Sequence, residues 1–182
     1  MTERATYRIL LVCSGNTCRS SMAEALMRDA LQRLWPEGAL RVEVGSAGTS
    51  AWPGTPASEQ SVAALRERGL DLSGHRSRRL DAALVAGADL ILTMTRQHKS
   101  YIQSLLPAAP AADPAQGAAA PRLYTLREYA YPDERQEWWD ILDPVGGSLE
   151  VYRATAEELA AAVEQAVARL RSELDGEEGV AR

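Results

Sequence analysis

The chain has 182 residues, of which 46% are hydrophobic, and a formal net charge of −5. This length and apolar content suit one domain with a proper hydrophobic core and no second domain. The negative charge, without any basic run, argues against general binding of nucleic acid. The first six residues lack the apolar core of a targeting signal, and no window approaches the ~20 apolar residues of a membrane span. We therefore expect a cytoplasmic protein with neither nucleic acid nor a membrane as partner.

Strands and helices are predicted to alternate along the chain. Apolar patterning predicts a strand at Tyr7–Val12, a helix at Ser20–Trp35, a strand at Arg41–Gly45, a helix opened by Pro56 and capped by Gly69, and a short strand at His75–Arg76. Next come a helix at Leu80–Ala86, a buried strand at Asp89–Thr93, a helix at Arg96–Leu106, a strand at Leu123–Thr125 and a helix at Ser148–Leu174. This order predicts an α/β fold: one doubly wound parallel sheet of about four strands, with helices on both faces and strand 1 in the centre.

Two segments have no periodicity. Pro107–Pro121 is rich in alanine and proline, which is typical of a flexible surface insertion rather than a linker between domains. The tail from Asp175 to Arg182 is expected to fray. The core of the single domain is then expected to cover about residues 7–174.

The segment Cys13–Ser20, CSGNTCRS, lies between the first predicted strand and the first predicted helix. Its backbone N–H groups, the positive end of the helix and the guanidinium of Arg19 suit a phosphoryl group. The same charges favour the thiolate form of Cys13, which is the nucleophilic form. Ser20 can donate a hydrogen bond to this thiolate, and Gly15 is expected to let the loop turn tightly. The segment therefore predicts a site that binds phosphate and attacks it.

A motif this short also occurs by chance, and a buried free cysteine at the end of a core strand is the alternative interpretation of Cys13. The position of the segment favours the anion site, because doubly wound sheets bind ligands at the carboxyl ends of their strands. The residues expected to surround the phosphoryl group are Ser14, Gly15, Asn16, Thr17, Cys18, Arg19 and Ser20. A binding module in which Cys13 is inert is the alternative from another functional class.

Four longer segments extend this pattern: ILLVCSGNTCRSSMAEALMRDAL, VGSAGTSAWPGTPAS, ADLILTMTRQH and ILDPVGGSLEVYRATAEEL. Together they resemble the low-molecular-weight protein-tyrosine-phosphatase family, from about Tyr7 to Arg171. DPVGGS, TMTRQHK and LYTLREY are most similar to the bacterial protein-arginine-phosphatase branch. The resemblance implies hydrolysis of a phosphorylated protein side chain through a cysteinyl-phosphate intermediate, without a cofactor. Two histidines far apart in sequence give a catalytic metal site little support.

The dipeptide Asp143-Pro144 lies where that family keeps its general acid. A departing phenolate or guanidine leaves more easily when a carboxylic acid protonates it. A turn residue before proline is the alternative interpretation of Asp143. With the resemblance, Asp143 is expected to act as the acid, and then as a base on the water that hydrolyses the phosphocysteine. The expected catalytic residues are thus Cys13, Arg19 and Asp143.

The resemblance also implies supporting residues. Asn16 is expected to be held by the hydroxyl of Ser46 and by His75, and a structural role is expected for His98 as well as for His75. In the family, the thiol equivalent to Cys18 can trap an oxidised nucleophile as a disulfide. A small apolar filler in the loop is the alternative role for Cys18.

Substrate preference rests on two positions. Ser14 keeps a hydroxyl where the arginine branch usually has threonine and tyrosine-specific members commonly have a bulkier apolar residue. Val145–Gly147 follow Asp143-Pro144, where tyrosine-type members often place aromatic residues, although Trp52 could still supply an aromatic wall. Protein phosphoarginine is therefore the favoured substrate, and phosphotyrosine, hydrolysed by the same mechanism, is the alternative. The partners expected are phosphorylated proteins, and the chain is expected to be a monomer.

Overall fold

A parallel sheet forms the centre of the molecule. The computed structural model describes residues 6–39, 41–106 and 120–180, with side chains up to residue 176. In these ranges the strands are β1 Tyr7–Cys13, β2 Val42–Gly48, β3 Leu90–Thr93 and β4 Arg122–Thr125. Their order is β2-β1-β3-β4, and every neighbouring pair is parallel. The predicted doubly wound sheet with strand 1 in its interior is confirmed.

The helices of the described residues are α1 Arg19–Leu34, α2 Pro36–Ala39, α3 Glu59–Arg66, α4 Ala82–Ala86, α5 Arg96–Leu105, α6 Leu126–Ala130 and α7 Leu149–Val180. A 3-10 turn covers Gln136–Trp138. Side-chain oxygens cap four of the helix starts by accepting backbone N–H bonds, which satisfies donors that the helix itself leaves free. These capping residues are Ser58, Asp81, Thr95 and Thr125. None of the helices in the described ranges is long and apolar enough to cross a membrane.

Both faces of β1 are buried. Ile9 and Leu11 pack in the larger core, with residues of α1, α3, α6 and α7. Leu10 and Val12 point to the other face and pack with residues of α4 and α5. Burial of each such side chain contributes on the order of 1.5–3 kcal/mol. The two cores fix β1 in the sheet and so fix the point at which the chain emerges at Cys13.

Three boundaries near α3 differ from the prediction. His75–Arg76 is not a strand of the sheet, since Arg76 forms only an isolated antiparallel bridge with Pro56. The helix begins at Glu59 rather than at Pro56, because the Ser58 side chain accepts the Ser61 N–H and so sets its start. Gly69 was predicted as the C-cap, but the C-cap of α3 is Glu67; Gly69 follows two residues later with φ 78°, and the amide after it donates to the carbonyl of Leu65 at 2.9 Å.

The C-terminal tail also differs from its prediction. The prediction that the tail frays from Asp175 is wrong for 175–180, because α7 continues to Val180. Asp175 forms ion pairs with Arg171, one helical turn earlier, and with Arg41. Of the predicted insertion at 107–121, residues 107–119 lie outside the described residues.

Candidate active site

The segment Cys13–Ser20, here called the cysteine loop, connects the last residue of β1 to α1. Its first half lies against the end of β2, where the Thr49 amide donates to the carbonyl of Cys13 at 2.9 Å and the Ser50 amide to that of Ser14 at 3.0 Å. Gly48 is opposite Cys13 in the register. A Cβ at Gly48 would lie 2.4 Å from the Ser14 carbonyl oxygen, so only glycine allows the loop to approach β2 this closely.

The thiol of Cys13 is buried, with 2% of the residue exposed. Its Sγ accepts the Asn16 backbone N–H at 3.2 Å and lies 2.9 Å from Ser20 Oγ. The only other acceptor within reach of the Ser20 hydroxyl, among the described atoms, is the Ala47 carbonyl at 3.5 Å. The sulfur is therefore in contact with two hydrogen-bond donors.

Asn16 takes the strained position of the loop. It is fully buried and has φ 56°, the one positive φ of a non-glycine residue in the described ranges. Gly15, which was expected to make the tight turn, has no positive φ, and a Cβ there would make only an ordinary contact. The backbone N–H of Arg78 donates to Asn16 Oδ1 at 2.9 Å, and His75 Nε2 lies 2.6 Å from the Asn16 carbonyl oxygen. Contacts from outside the loop thus hold this conformation, which costs on the order of 1–3 kcal/mol.

The donor and the acceptor in each hydrogen bond of the Asn16 side chain can be assigned. Because the Arg78 N–H can only donate, the atom facing it is the amide oxygen, and Nδ2 therefore donates to Ser46 Oγ at 2.8 Å and to Ser20 Oγ at 2.9 Å. Ser46 then donates to Glu24 Oε2. Ser20 accepts from Asn16, so its own proton remains for the sulfur that lies 2.9 Å away.

The buried guanidinium of Arg19 binds the carboxylate of Asp143 at the loop. Nη2 donates to Asp143 Oδ2 at 2.8 Å and Nη1 donates to the carbonyl of Ile141 at 3.0 Å. Arg19 Nε is buried and has no hydrogen-bond partner among the described atoms. Asp143 also accepts the Val145 N–H at 3.2 Å, and 41% of its side chain is exposed. Residues 124 positions apart in sequence therefore form one ion pair at the last turn of the cysteine loop.

The second half of the loop is anchored to α3 and α7. The Thr17 carbonyl accepts the Ser58 N–H at 3.0 Å. Cys18 is buried, and its Sγ lies 3.4 Å from Tyr152 Oη and 3.5 Å from Ser58 Oγ. Burial, together with the hydrogen bond to Cys18, raises the pKa of Tyr152 to about 12. Cys18 is also the N-cap of α1, which has no side-chain cap and no acidic residue in its first turn. No acidic residue of the first turn of α1 therefore opposes an anion at this helix start.

His98 contacts the loop although the sequence indicated only a structural role for it. Its Nε2 lies 2.8 Å from Ser14 Oγ, and its Nδ1 lies 2.9 Å from Thr95 Oγ1. Burial, and secondarily the charge of Arg19, lowers the pKa of His98 to about 4, so the ring is neutral near pH 7. Like Gly48, Arg78 and Glu24, His98 had no local sequence pattern that pointed to the loop.

The loop that carries Asp143 is itself held in place. The backbone N–H of Arg96 donates to Asp140 Oδ1 at 2.7 Å, the Arg96 guanidinium pairs with the same carboxylate, and the Ile141 N–H donates to the Met94 carbonyl. Exposed apolar side chains occur next to Asp143 and on the loop after β2: Leu142, Val145 and Trp52. No group of three or more histidine, cysteine, aspartate or glutamate side chains that could hold a metal occurs among the described residues.

Comparison with known proteins places this geometry among phosphatases. The family model described as low molecular weight phosphotyrosine protein phosphatase matches residues 8–176. A protein-arginine-phosphatase of Bacillus subtilis is 39% identical over 91% of this chain and 97% of its own length. A probable low molecular weight protein-tyrosine-phosphatase, EpsP of Ralstonia nicotianae, is 35% identical over 90% of this chain and 96% of its own length. A solved structure of YwlE arginine phosphatase, in which a serine replaces a cysteine and the active-site serine is phosphorylated, has a TM-score of 0.74 at 38% identity, covering 90% of this chain and 95% of that one.

Proposed function

The chain belongs to the low-molecular-weight phosphotyrosine protein phosphatase family, and on that premise we propose that it removes phosphate from phosphoarginine in proteins, with Cys13 as nucleophile, Arg19 as phosphate ligand and Asp143 as general acid. It is a cysteine-dependent protein phosphatase. Phosphorylated proteins of the cytoplasm are its proposed partners, and we propose that it acts on them as a monomer. The net charge of −5 is consistent with protein rather than nucleic acid as substrate.

One observation carries the proposal: a buried thiol, a buried guanidinium and a partly exposed carboxylate meet at a single loop. Cys13 Sγ is in contact with two donors, and the Arg19 guanidinium pairs with Asp143 at 2.8 Å. A passive anion-binding loop needs neither a nucleophile nor an acid. The combination is what hydrolysis through a covalent intermediate requires.

In the first half-reaction the thiolate of Cys13 attacks the phosphorus atom and forms an S–P bond. The bond from phosphorus to the side-chain nitrogen or oxygen breaks, and Asp143 donates the proton that this leaving atom takes up. The guanidinium of Arg19 and the loop N–H groups bind the oxygens on which negative charge resides. Asp143 is free to act once Arg19 binds the phosphoryl group instead of the carboxylate.

In the second half-reaction water attacks the phosphocysteine. Asp143, now ionised, accepts a proton from that water, the S–P bond breaks, and inorganic phosphate leaves. Ser20 Oγ lies 2.9 Å from the sulfur, so the hydroxyl can donate a hydrogen bond to the departing thiolate as its charge develops. One carboxyl group thus serves as acid and then as base.

Three features support phosphoarginine. The residues after Asp143-Pro144 are Val145, Gly146 and Gly147, none of which is aromatic. Ser14 supplies a hydroxyl that is held at 2.8 Å from His98. The protein-arginine-phosphatase of Bacillus subtilis shares 39% of its residues with this chain over nearly the full length of both proteins.

Phosphotyrosine is the second candidate substrate, and one observation favours it. The residue Trp52 is 80% exposed and lies two positions after Ser50, whose amide donates to the cysteine loop. An indole in this position can stack on a phenol ring. The family name and the EpsP relative also point to phosphotyrosine.

The test is phosphate release from two peptides of one sequence, one with phosphoarginine and one with phosphotyrosine, with Cys13→Ser as the blank for each. We expect a higher kcat/KM for phosphoarginine. A preference for phosphotyrosine would refute the substrate assignment and leave the mechanism intact. Release from neither peptide, with both peptides still bound, would instead support a binding module.

A further inference from the structure

The side chains of Thr95 and His98, at the start of α5, connect this helix to the cysteine loop. Thr95 caps this helix, and its Oγ1 accepts the backbone N–H of His98 at 3.3 Å. The same Oγ1 lies 2.9 Å from His98 Nδ1, and His98 Nε2 lies 2.8 Å from Ser14 Oγ. Ser14 is the loop residue directly after Cys13. The three side chains therefore form a continuous hydrogen-bonded chain that ends inside the loop.

Two tautomers of a neutral His98 fit these contacts. In the first, the Thr95 hydroxyl donates to Nδ1 and Nε2–H donates to Ser14 Oγ; in the second, Nδ1–H donates to the remaining lone pair of Thr95 Oγ1 and Ser14 donates to Nε2. The first tautomer leaves the Ser14 proton unused by the protein, and the second leaves the Thr95 proton unused. A phosphoryl oxygen that accepts the Ser14 proton selects the first tautomer.

We propose that His98 is a positioning residue that turns the Ser14 hydroxyl toward the ligand, so that Ser14 donates a hydrogen bond to a phosphoryl oxygen of the bound substrate. The inference rests on the proposed function, in that the cysteine loop is taken to bind the phosphoryl group. It adds to the backbone N–H groups a side-chain donor whose orientation is fixed by a residue 84 positions away in sequence.

The surroundings of His98 support this role. The residue is buried, with 7% of its surface exposed, so few water molecules reach the ring. Burial and the charge of Arg19 keep the ring neutral, and a neutral ring has the single donor and single acceptor that the chain requires. A protonated ring would donate at both nitrogens, so Thr95 Oγ1 would accept from Nδ1–H instead of donating to it.

The experiment measures the binding of inorganic phosphate without turnover. Cys13 is alkylated by iodoacetate, and the phosphate concentration that halves the rate is determined for each variant. Loss of one hydrogen bond to a charged ligand is expected to raise this concentration ~10-fold in Ser14→Ala and in His98→Ala. The double variant is expected to show ~10-fold rather than ~100-fold weakening, because both substitutions remove the same interaction.

Two conservative variants separate positioning from packing. His98→Gln places an amide N–H near the former Nε2 and is expected to stay within ~3-fold of the wild-type value, whereas His98→Asn reaches only the former Nδ1 and is expected to match Ser14→Ala. Gln97→Ala, an exposed neighbour on α5, is the matched control. The alkylation rate without phosphate reports whether the loop is intact, and the Gln and Asn variants decide the question if His98→Ala does not fold.

The inference is overturned if His98→Ala binds phosphate as the wild type does, if the two alanine effects multiply, or if His98→Gln is as weak as His98→Asn. These outcomes are independent of the phosphopeptide assay. A wild type that hydrolyses phosphopeptides while these variants bind phosphate normally refutes the role of His98 alone. A wild type that binds phosphate and hydrolyses neither peptide refutes the proposed function alone.

Discussion

Two polar clusters in this molecule are built in opposite ways. The first is the cysteine loop at the carboxyl end of β1. The second, here called the Glu173 cluster, joins the late part of α7 to the first residue of β4, where Arg122 donates to both carboxylate oxygens of Glu173 at 2.9 and 3.1 Å. Tyr129 donates to the same carboxylate at 2.6 Å and Arg169 at 2.9 Å. Arg169 also lies over the Tyr129 ring, 4.3 Å from its centroid.

The charged and hydroxyl groups of the Glu173 cluster bind one another, whereas the cysteine loop leaves hydrogen-bonding groups for a ligand. Every hydrogen bond named in the Glu173 cluster joins the carboxylate to a cation or a hydroxyl of the chain. In the cysteine loop the hydroxyl of Ser20 lies 2.9 Å from the sulfur of Cys13, and the Nε of Arg19 has no partner among the described atoms. Buried polar groups alone therefore do not indicate a site. Hydrogen-bond donors and nucleophiles that the fold leaves available to a ligand do indicate one.

The largest loss of activity is expected when the proposed nucleophile, Cys13, is replaced. Cys13→Ser is expected to abolish phosphate release, because a serine hydroxyl is a weaker nucleophile than a thiolate and a phosphoserine would have a much poorer leaving group than a phosphocysteine. Phosphate release in a continuous assay measures this change. Thermal unfolding should remain close to that of the wild type, since Ser14, Asn16 and Ser20 keep their contacts. Substantial turnover by the serine variant would remove the distinction between the two clusters.

The next largest effect concerns the carboxylate beside Arg19. Asp143→Asn is expected to lower kcat by ~100- to 10,000-fold for peptide substrates, the range typical of general acid catalysis. The loss should be much smaller for an activated aryl phosphate, whose leaving group needs no proton. Asp140→Asn is the control, because that carboxylate holds Arg96 and should affect both substrates equally. An Asp143→Asn enzyme fully active toward a poor leaving group would exclude Asp143 as the acid.

A third prediction concerns the residue that shapes the loop. Asn16→Ala removes the donors to Ser20 and Ser46 and leaves a residue with a Cβ at φ 56°. We expect a loss of about 2–4 kcal/mol in the free energy of unfolding, from strain and unsatisfied partners. Chemical denaturation measures it, and Cys13 alkylation should slow in parallel. A variant of unchanged stability would show that the network does not constrain the loop.

The Glu173 cluster gives the smallest effect on activity. Burial alone would raise the pKa of Glu173, but hydrogen bonds from Arg122, Tyr129 and Arg169 lower it from 4.5 to about 2. The resulting stability is present above pH 4.5 and is lost as the pH falls toward about 2. Glu173→Gln should therefore be less stable than the wild type near neutral pH, by about 1–3 kcal/mol, with kcat/KM unchanged.

Unfolding by urea at several pH values tests this last prediction. The advantage of the wild type over Glu173→Gln should shrink as the pH falls from 4.5 toward about 2. A difference in stability that is the same at every pH would show that the carboxylate charge contributes nothing to the free energy of unfolding. A fall in kcat/KM for the glutamine variant would mean that the two clusters are coupled.

The sequence predicted the elements that local residue patterns determine. The apolar run of β1, the small polar residues after it and the periodic α1 define the cysteine loop without knowledge of the fold. Thr125 and Glu128 form a capping box that was available in the sequence as a start for α6, a helix that the sequence analysis did not predict. His75–Arg76 was wrongly predicted as a strand, because a two-residue segment carries too little pattern to distinguish a bridge from a strand.

Contacts between distant segments account for what the sequence did not predict. The position of Gly48 opposite Cys13, the Arg78 amide that fixes Asn16, and the approach of His98 to Ser14 all depend on how separate loops meet at the edge of the sheet. The resemblance to a known family supplied the expected contacts of Ser46 and His75 with Asn16, and both contacts are present. It assigned no contact to His98, which lies on a helix face that the sequence alone does not orient.

The most direct test of the account is to trap the covalent intermediate. The enzyme is mixed with a phosphoarginine or phosphotyrosine peptide, quenched in acid within the first turnover, digested and examined by mass spectrometry. We predict a phosphoryl group on the thiol of Cys13 and none on Cys18. Phosphate release without any phosphoryl adduct on Cys13, or with an adduct on another residue, would contradict the assignment of Cys13 as the nucleophile.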